Sequence, residues 1–209
     1  MYDDSYLCMP KHQGDILMYR IMILAAVMAM CVTASAQNEG ENGMQTENRA
    51  LVVYFSATGT TAGVARMIAD VTGGKLYGIV PQQAYTAGDL DWNDRQSRSS
   101  VEMNNPQARP AMKGSCADTE ACNVVFIGYP IWWNQAPRII NTFIENHDLK
   151  GKTIVPFATS GGSGIAGSVK ELRNTYPDLE WTEGRLLNGT GRNAIRDWVN
   201  DIYRNIIWK

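Results

Sequence analysis

Short apolar runs alternate along the chain with segments in which apolar residues recur every three or four positions. The runs at residues 50–55, 75–80, 124–129 and 153–158 predict β-strands, and a weaker run at 181–187 predicts a fifth. Helical stripes follow most of these runs; the first includes Val64, Ile68 and Val71. This alternation predicts an α/β fold, a three-layer sandwich in which helices cover both faces of a doubly wound, five-stranded parallel sheet.

One stretch interrupts the alternation, at the point where a helix is expected after the second strand. Residues 82–121 are polar and irregular, and only a short helix near residues 93–103 is predicted within them. Loops of this length are uncommon inside a compact domain and are usually functional. This one carries Tyr85, Trp92 and three arginines, and the alternative interpretation is a solvated cap over a sheet edge.

The beginning of the chain has the pattern of an export signal. Arg20 precedes an apolar run at residues 21–32 that is too short to span a bilayer, and small residues at 34 and 36 provide a cleavage site. The alternatives are a buried N-terminal helix and lipid attachment at Cys31. The bulky Met30 before that cysteine argues against lipid attachment.

The signal divides the chain into three parts. We predict that residues 1–36 are a signal region that is removed, with translation starting at Met1 or Met18. Residues 37–48 are polar and predict a flexible tether, and residues 49–209 predict one domain. The mature protein is then expected to be exported to the periplasm and to contain no membrane span.

Composition excludes several classes of function. The chain has 209 residues, a formal net charge of −2 and no basic block, so we expect no nucleic-acid binding. His147 is the only histidine after the signal region, which argues against a metal site with several histidine ligands. A Ser-His-Asp hydrolase is also disfavoured, since the chain has no Gly-x-Ser-x-Gly motif. We expect His147 near a helix end, where an imidazolium would suit the dipole. Cys116 and Cys122 could form a disulfide or remain free.

The most informative segment is residues 51–61, where an apolar strand runs into a small, hydroxyl-rich loop that opens a helix. Backbone N–H groups and the positive end of the helix dipole attract an anion there, and Ser and Thr hydroxyls add donors. The loop has no Lys or Arg, so it suits the single phosphate of a mononucleotide. We predict that this phosphate is held by Ser56, Thr58, Gly59, Thr60 and Thr61.

Two further loops follow the third and fourth predicted strands, at the same edge of a parallel sheet. Residues 130–137 contain the adjacent Trp132 and Trp133, which favour packing against a flat ligand; packing into neighbouring helices is the alternative. Residues 160–164 contain three glycines, which allow close approach of a planar ligand; a simple tight turn is the alternative. Together, the three loops predict a site for a phosphate, a polar linker and an aromatic ring system.

These motifs resemble those of the flavodoxin-like family over residues 50–207. The letters SATGTT at 56–61 are similar to the family's phosphate loop, and YPIWW at 129–133 and SGGSG at 160–164 are similar to its two other flavin loops. The resemblance implies the strand order 2-1-3-4-5, bound FMN and transfer of one or two electrons. It implies cofactor contacts from Ser56, Ala57, Thr58, Gly59, Thr60, Thr61, Tyr85, Pro130, Ile131, Trp132, Trp133, Asn134, Ser160, Gly161, Gly162, Ser163 and Gly164.

The chain departs from typical members of that family in two respects. Neither loop expected at the flavin ring contains an acidic residue, and the chain is predicted to be exported, whereas typical members are cytoplasmic. A carboxylate near the ring disfavours its reduced anion. The missing acids therefore predict a less negative potential for the second one-electron reduction.

Three functions remain open. The first is an electron carrier that exchanges electrons with a partner protein. The second is an NAD(P)H-dependent FMN reductase of a quinone or similar small acceptor, with a slot lined by Trp132 or Trp133 and roofed by Tyr85 or Trp92. The third is a non-catalytic module that binds a phosphate ligand. Exposed tryptophans would also allow a homodimer.

A second nucleotide motif is present but is not expected to function. Gly162, Gly164 and Gly167 have the spacing of a dinucleotide fingerprint, after a predicted strand and before a predicted helix. That fingerprint normally follows the first strand of its domain, where this chain has a different phosphate loop. We therefore expect no nicotinamide site at these glycines.

Overall fold

A parallel sheet runs through the structure, a computed structural model that describes residues 49–207. Its strands are β1 (Ala50–Tyr54), β2 (Lys75–Gly78), β3 (Val124–Pro130), β4 (Thr153–Thr159), β5 (Glu180–Trp181) and β6 (Arg185–Leu186). The helices are α1 (Thr60–Thr72), α2 (Arg98–Asn104), α3 (Arg138–Glu145), α4 (Ala166–Thr175) and α5 (Arg192–Ile207). The predicted α/β fold and the strand order 2-1-3-4-5 are confirmed.

Two short segments share the fifth strand position. β5 pairs with the beginning of β4, and β6 pairs with its end. Between these paired parts β4 carries Pro156, which has no N–H to donate to a neighbour. Gly184, in the connection, lies so close to α4 that a Cβ there would be 2.7 Å from the Val169 side chain. The weak strand predicted at residues 181–187 is therefore present but interrupted.

Alternate residues of the central strands pack against helices on opposite faces of the sheet. On one face, Val53 and Ile127 belong to a buried cluster with Phe143 of α3. On the other face, Val52 belongs to a buried cluster with Ile68 of α1. Burial on both faces explains why β1 and β3 are continuously apolar rather than alternating.

The insertion, which we define as residues 82–121, follows β2 and precedes β3. Pro81 and Met112 form an antiparallel bridge, so the two ends of its longer part meet. α2 lies inside it, and the Ser97 hydroxyl caps this helix by accepting the N–H of Ser100. The short helix predicted near residues 93–103 is confirmed, with its start at Arg98.

His147 and the two cysteines are all part of or next to the core. His147 lies just beyond the helix, as predicted, and its Nδ1 is 2.7 Å from the Phe143 carbonyl oxygen. Its Nε2 accepts the N–H of Cys116 at 2.9 Å. These contacts fit the tautomer in which Nδ1 donates to the Phe143 carbonyl and Nε2 accepts. Cys116 and Cys122 are buried free thiols rather than a disulfide.

The predicted signal region, the tether and Cys31 lie outside the described residues. Within residues 49–207, none of the helices is both long enough and apolar enough to cross a membrane. In the same range, no three side chains of His, Cys, Asp or Glu gather as the ligands of a metal ion would.

Candidate functional site

A cavity of about 580 Å³ opens at the carboxyl edge of the sheet, where parallel strands present their loops. The loops after β1, β3 and β4 and one side of the insertion border it. Its lining consists of Ser56, Ala57, Thr58, Thr60, Thr61, Leu90, Trp92, Ser99, Pro130, Ile131, Trp132, Trp133, Thr159, Ser160, Gly161 and Asn188.

One end of the cavity is the loop between β1 and α1, residues 56–59, which we call the cradle. Gly59 has a left-handed φ of 94° and donates its N–H to Ser56 Oγ at 3.1 Å. The first turn of α1 contains no acidic residue, so its positive dipole end is not neutralised by a neighbouring side chain. Thr61 is buried, and its Oγ1 lies 2.8 Å from Oγ1 of Thr159 at the end of β4. This contact connects the first turn of α1, directly after the cradle, to the sheet.

The tryptophan turn, residues 132–135, forms a second wall. Trp132 donates its N–H to the Gln135 carbonyl at 3.0 Å, and Gln135 donates to the Trp132 carbonyl at 2.9 Å. Trp133 and Asn134 between them have left-handed φ values of 47° and 61°, the pattern of a type I′ turn. Such backbone costs a non-glycine residue about 1–3 kcal/mol and is concentrated at functional sites. The turn leaves Trp133 44% exposed at the cavity rim.

Trp132 is fixed from behind by other aromatic rings. Its ring centroid lies 5.7 Å from that of Phe55 and 5.4 Å from that of Tyr85, in edge-to-face arrangements. The Arg98 guanidinium covers the Tyr85 ring at 4.0 Å, and the Tyr85 hydroxyl donates to Glu102. Burial, and then this hydrogen bond, raise the pKa of Tyr85 far above its usual value. Tyr85 therefore supports the wall as a neutral phenol.

The third loop is held by its own serine and by an asparagine from elsewhere in the chain. Ser160 Oγ accepts the N–H groups of Gly162 and Ser163 at 3.1 and 2.8 Å. Asn188, which follows β6, accepts the Ser160 N–H at 2.9 Å and donates to the Ser160 carbonyl. The hydrogen bonds of these two side chains fix the backbone of residues 160–163.

A protein-family model described as Flavodoxin matches residues 49–202. The chain belongs to the flavodoxin family. A candidate flavoprotein from Bacteroides eggerthii is 61% identical, with a TM-score of 0.72, and the match covers 74% of this chain and 98% of that one. A candidate flavoprotein from Bacteroides uniformis is 51% identical, with a TM-score of 0.71 and coverage of 73% and 98%.

A more distant structure shares the fold alone. It is a flavoprotein from Lactobacillus acidophilus, solved in complex with FMN, that is 19% identical with a TM-score of 0.55. The match covers 66% of this chain and 93% of that one. Among curated proteins, none matches the sequence.

Within the described residues, the cavity lining is entirely uncharged: its polar groups are hydroxyls, the Asn188 amide, indole N–H groups and backbone. Acidic residues stand beside the lining, in the insertion, where Asp89 and Asp91 flank the lining residue Leu90. Hydrogen bonds from the Thr86 N–H and hydroxyl lower the pKa of Asp89. These two carboxylates therefore belong to the insertion. The two loops that were predicted to contact the flavin ring contain no acidic residue.

Most of the site residues predicted from the sequence line the cavity; six do not. Gly59 gives its N–H to Ser56, and Tyr85 lies behind Trp132. Asn134 turns away and covers Gly167, where a Cβ would lie 2.3 Å from its Nδ2. The other three are Gly162, Ser163 and Gly164. Contact with a cofactor stays a prediction for all of the site residues named from the sequence.

Four lining residues were missed by sequence reasoning. Thr159 and Asn188 end or follow strands at the carboxyl edge of the sheet, and that position was the available signal. Leu90 and Ser99 come from the insertion, whose irregular sequence has no periodicity to indicate which side chains face inward.

Proposed function

We propose that this chain binds FMN in the cavity at the carboxyl edge of the sheet and transfers electrons through it. One observation carries the proposal: an uncharged anion cradle and a set of tryptophans belong to the same cavity of about 580 Å³. That volume lies within the range of sites for small ligands and cofactors. An uncharged cradle at a helix N-terminus suits a terminal phosphate.

At the cradle end, the hydroxyls of Ser56, Thr58 and Thr60 and the N–H groups of the first turn of α1 would hold the phosphate. Gly59 would act through its backbone conformation, because its N–H is already bonded to Ser56. The cradle contains no titratable side chain, so the protein's part in phosphate binding should be independent of pH.

At the other end, Trp92, Trp132 and Trp133 would hold the flavin ring, with the backbone of Gly161 beside them. Bound FMN supplies the acceptance and release of one or two electrons. The residues of this chain bind the cofactor, keep water from its faces and surround it with groups that carry no charge. No lining side chain is assigned a role as a general acid or base.

The same lining supports a second candidate, an NAD(P)H-dependent FMN reductase of a quinone or similar small acceptor. Trp92 is 73% exposed and Trp133 is 44% exposed, and both border the cavity. Exposed indoles beside a neutral slot suit a flat, uncharged acceptor. A carrier would instead dock a partner protein, or a second copy of this chain would cover these indoles. A module that only binds a phosphate ligand is the third possibility.

We also propose that the protein works after export, in the periplasm. The support is the apolar run at residues 21–32 with small residues at 34 and 36. Detection of a mature N-terminus near residue 37 in a periplasmic fraction would support this proposal, and an intact N-terminus in the cytosol would contradict it.

The test is titration of the purified protein with FMN, followed by anaerobic addition of NADH or NADPH. Yellow protein with saturable FMN binding supports a flavoprotein, and failure to bind FMN would overturn the proposal. Bleaching by a nicotinamide, with turnover of a quinone, favours the reductase. Bound flavin that is reduced only by another protein favours the carrier.

A further inference from the structure

Three side chains on one face of α3 make hydrogen bonds to the insertion. The buried Arg138 donates from Nη2 to the Met103 carbonyl at 3.3 Å, at the end of α2. One helical turn later, Thr142 Oγ1 donates to the Pro110 carbonyl at 3.0 Å. After a further turn, the Glu145 carboxylate accepts hydrogen bonds from Nε and Nη2 of Arg109, each at 2.7 Å. The spacing i, i+4, i+7 puts all three side chains on one stripe of the helix.

Arg138 differs from the other two because it also reaches the tryptophan turn. Its Nη2 donates to Gln135 Oε1 at 2.8 Å, and its Nη1 donates to Glu171 of α4 at 3.0 Å. Its side chain is only 2% exposed. A single buried guanidinium therefore connects the tryptophan turn, the insertion and α4, and the first two of these both contribute residues to the cavity lining.

We propose that Arg138 is the positioning residue of the flavin site, which holds the tryptophan turn and the insertion at a fixed separation. This inference rests on the proposed function for its consequence, the binding of FMN. The tryptophan turn needs stabilising contacts from outside the turn, because Trp133 and Asn134 have a left-handed backbone conformation that is unfavourable for non-glycine residues. A planar fork with several fixed donors can serve three acceptors at once.

Lysine cannot replace this fork. An ammonium at the same position keeps the charge opposite Glu171 but has a single nitrogen. It cannot reproduce two nitrogens held apart in one plane, with Nη1 bonded to Glu171 and Nη2 bonded to Gln135 and Met103. Arg138→Lys therefore distinguishes a need for the fork from a need for buried charge. Thr142→Val is the matched control, since it removes one bond to the insertion from the same helix face and does not touch the turn.

The experiment compares the wild type with R138K, R138M, Q135M and T142V in two measurements. The first is hydrogen exchange of the Trp132 and Gln135 amides in apo protein, relative to the amides of β1. We expect this exchange to rise about tenfold or more in R138K, R138M and Q135M, and to stay unchanged in T142V. If R138M does not fold, R138K and Q135M carry the test.

The second measurement is the FMN dissociation constant and the reduction potential of bound flavin. We expect R138K to weaken FMN binding about tenfold or more and to shift the potential, and T142V to change affinity less than about twofold. Unchanged turn amides in R138K, or equal effects in R138K and T142V, would overturn the positioning role. Failure of the wild type to bind FMN would overturn the proposed function instead, because the exchange measurement needs no flavin.

Discussion

The two ends of the cavity are built in different ways. The cradle is local: residues 56–59 follow β1, open α1, and are braced by the contact between Thr61 and Thr159. The aromatic end is assembled from distant parts, with Trp92 from the insertion, Trp133 from the tryptophan turn and Asn188 from the far end of the chain. The comparison teaches that the proposed phosphate site is encoded in a short motif, whereas the proposed environment of the flavin ring depends on long-range polar contacts.

Thr60→Asp should have the largest effect, because it introduces a carboxylate at the first residue of α1, directly after the cradle. Repulsion of a phosphate at contact distance is about 4 kcal/mol at an intermediate dielectric, roughly a thousandfold in the FMN dissociation constant. Apo protein should be no less stable, since an acid in the first turn suits the helix dipole. Calorimetric titration measures the affinity.

Riboflavin provides the control for Thr60→Asp, since it has the ring without the phosphate. Its affinity should be unchanged in the variant, and the neutral Thr60→Val should weaken FMN far less than Thr60→Asp does. Equal loss of FMN and riboflavin affinity would show that the two ends of the cavity are not separate.

Leu90→Glu tests the aromatic end by adding the charge that its lining lacks. A carboxylate near the reduced ring costs about 1–4 kcal/mol, so the second one-electron potential should fall by roughly 40–170 mV. The wild type should itself have a less negative value than flavodoxins with acids at the ring. Spectroelectrochemical titration checks both statements, and a wild-type value as low as theirs would contradict the second.

Trp133→Gly and Asn134→Gly form a matched pair within the tryptophan turn. Each relieves a left-handed φ of a non-glycine residue, so each apo variant should gain up to about 1 kcal/mol of stability. Only Trp133 lines the cavity, so only its loss should weaken FMN and riboflavin, by about tenfold and to the same extent. Chemical unfolding and ligand titration separate the effects, and loss of binding in N134G would contradict the assignment.

High pH should weaken the fold beneath the aromatic end. Burial raises the pKa of Tyr129, whose hydroxyl lies 3.1 Å from Ser168 of α4, from 10.0 to about 12. The stabilisation is complete below pH 10, where both states hold the proton, and is lost as pH rises toward 12, by at most about 1.4 kcal/mol per pH unit. Unfolding between pH 9 and 12 measures the slope.

Tyr129→Phe is the control for this titration. The variant should have a shallower loss of stability between pH 10 and 12, because it removes one group that ionises only in the unfolded state. FMN binding at the cradle should not follow this slope below pH 10. An identical slope in Y129F would mean that other tyrosines dominate it, against the expectation.

The sequence allowed prediction of the sheet and of the cradle because both depend on local patterns. The double-sided burial of β3 produces a continuous apolar run, and the left-handed Gly59 marks the entry into α1. Arg138 could not be recognised in the same way, since its partners lie at residues 103, 135 and 171. The position of His147 near a helix end could be predicted, but its contact with the N–H of Cys116 could not, since Cys116 is distant in sequence.

The bridge between Pro81 and Met112 makes the longer part of the insertion an exchangeable module. Because the two attachment points are neighbours, a graft of different length between them leaves the pairing of β1 with β2 and β3 in register. Transplanting this segment between relatives would therefore change which molecules reach the proposed flavin ring, while the proposed phosphate site in the cradle stays the same.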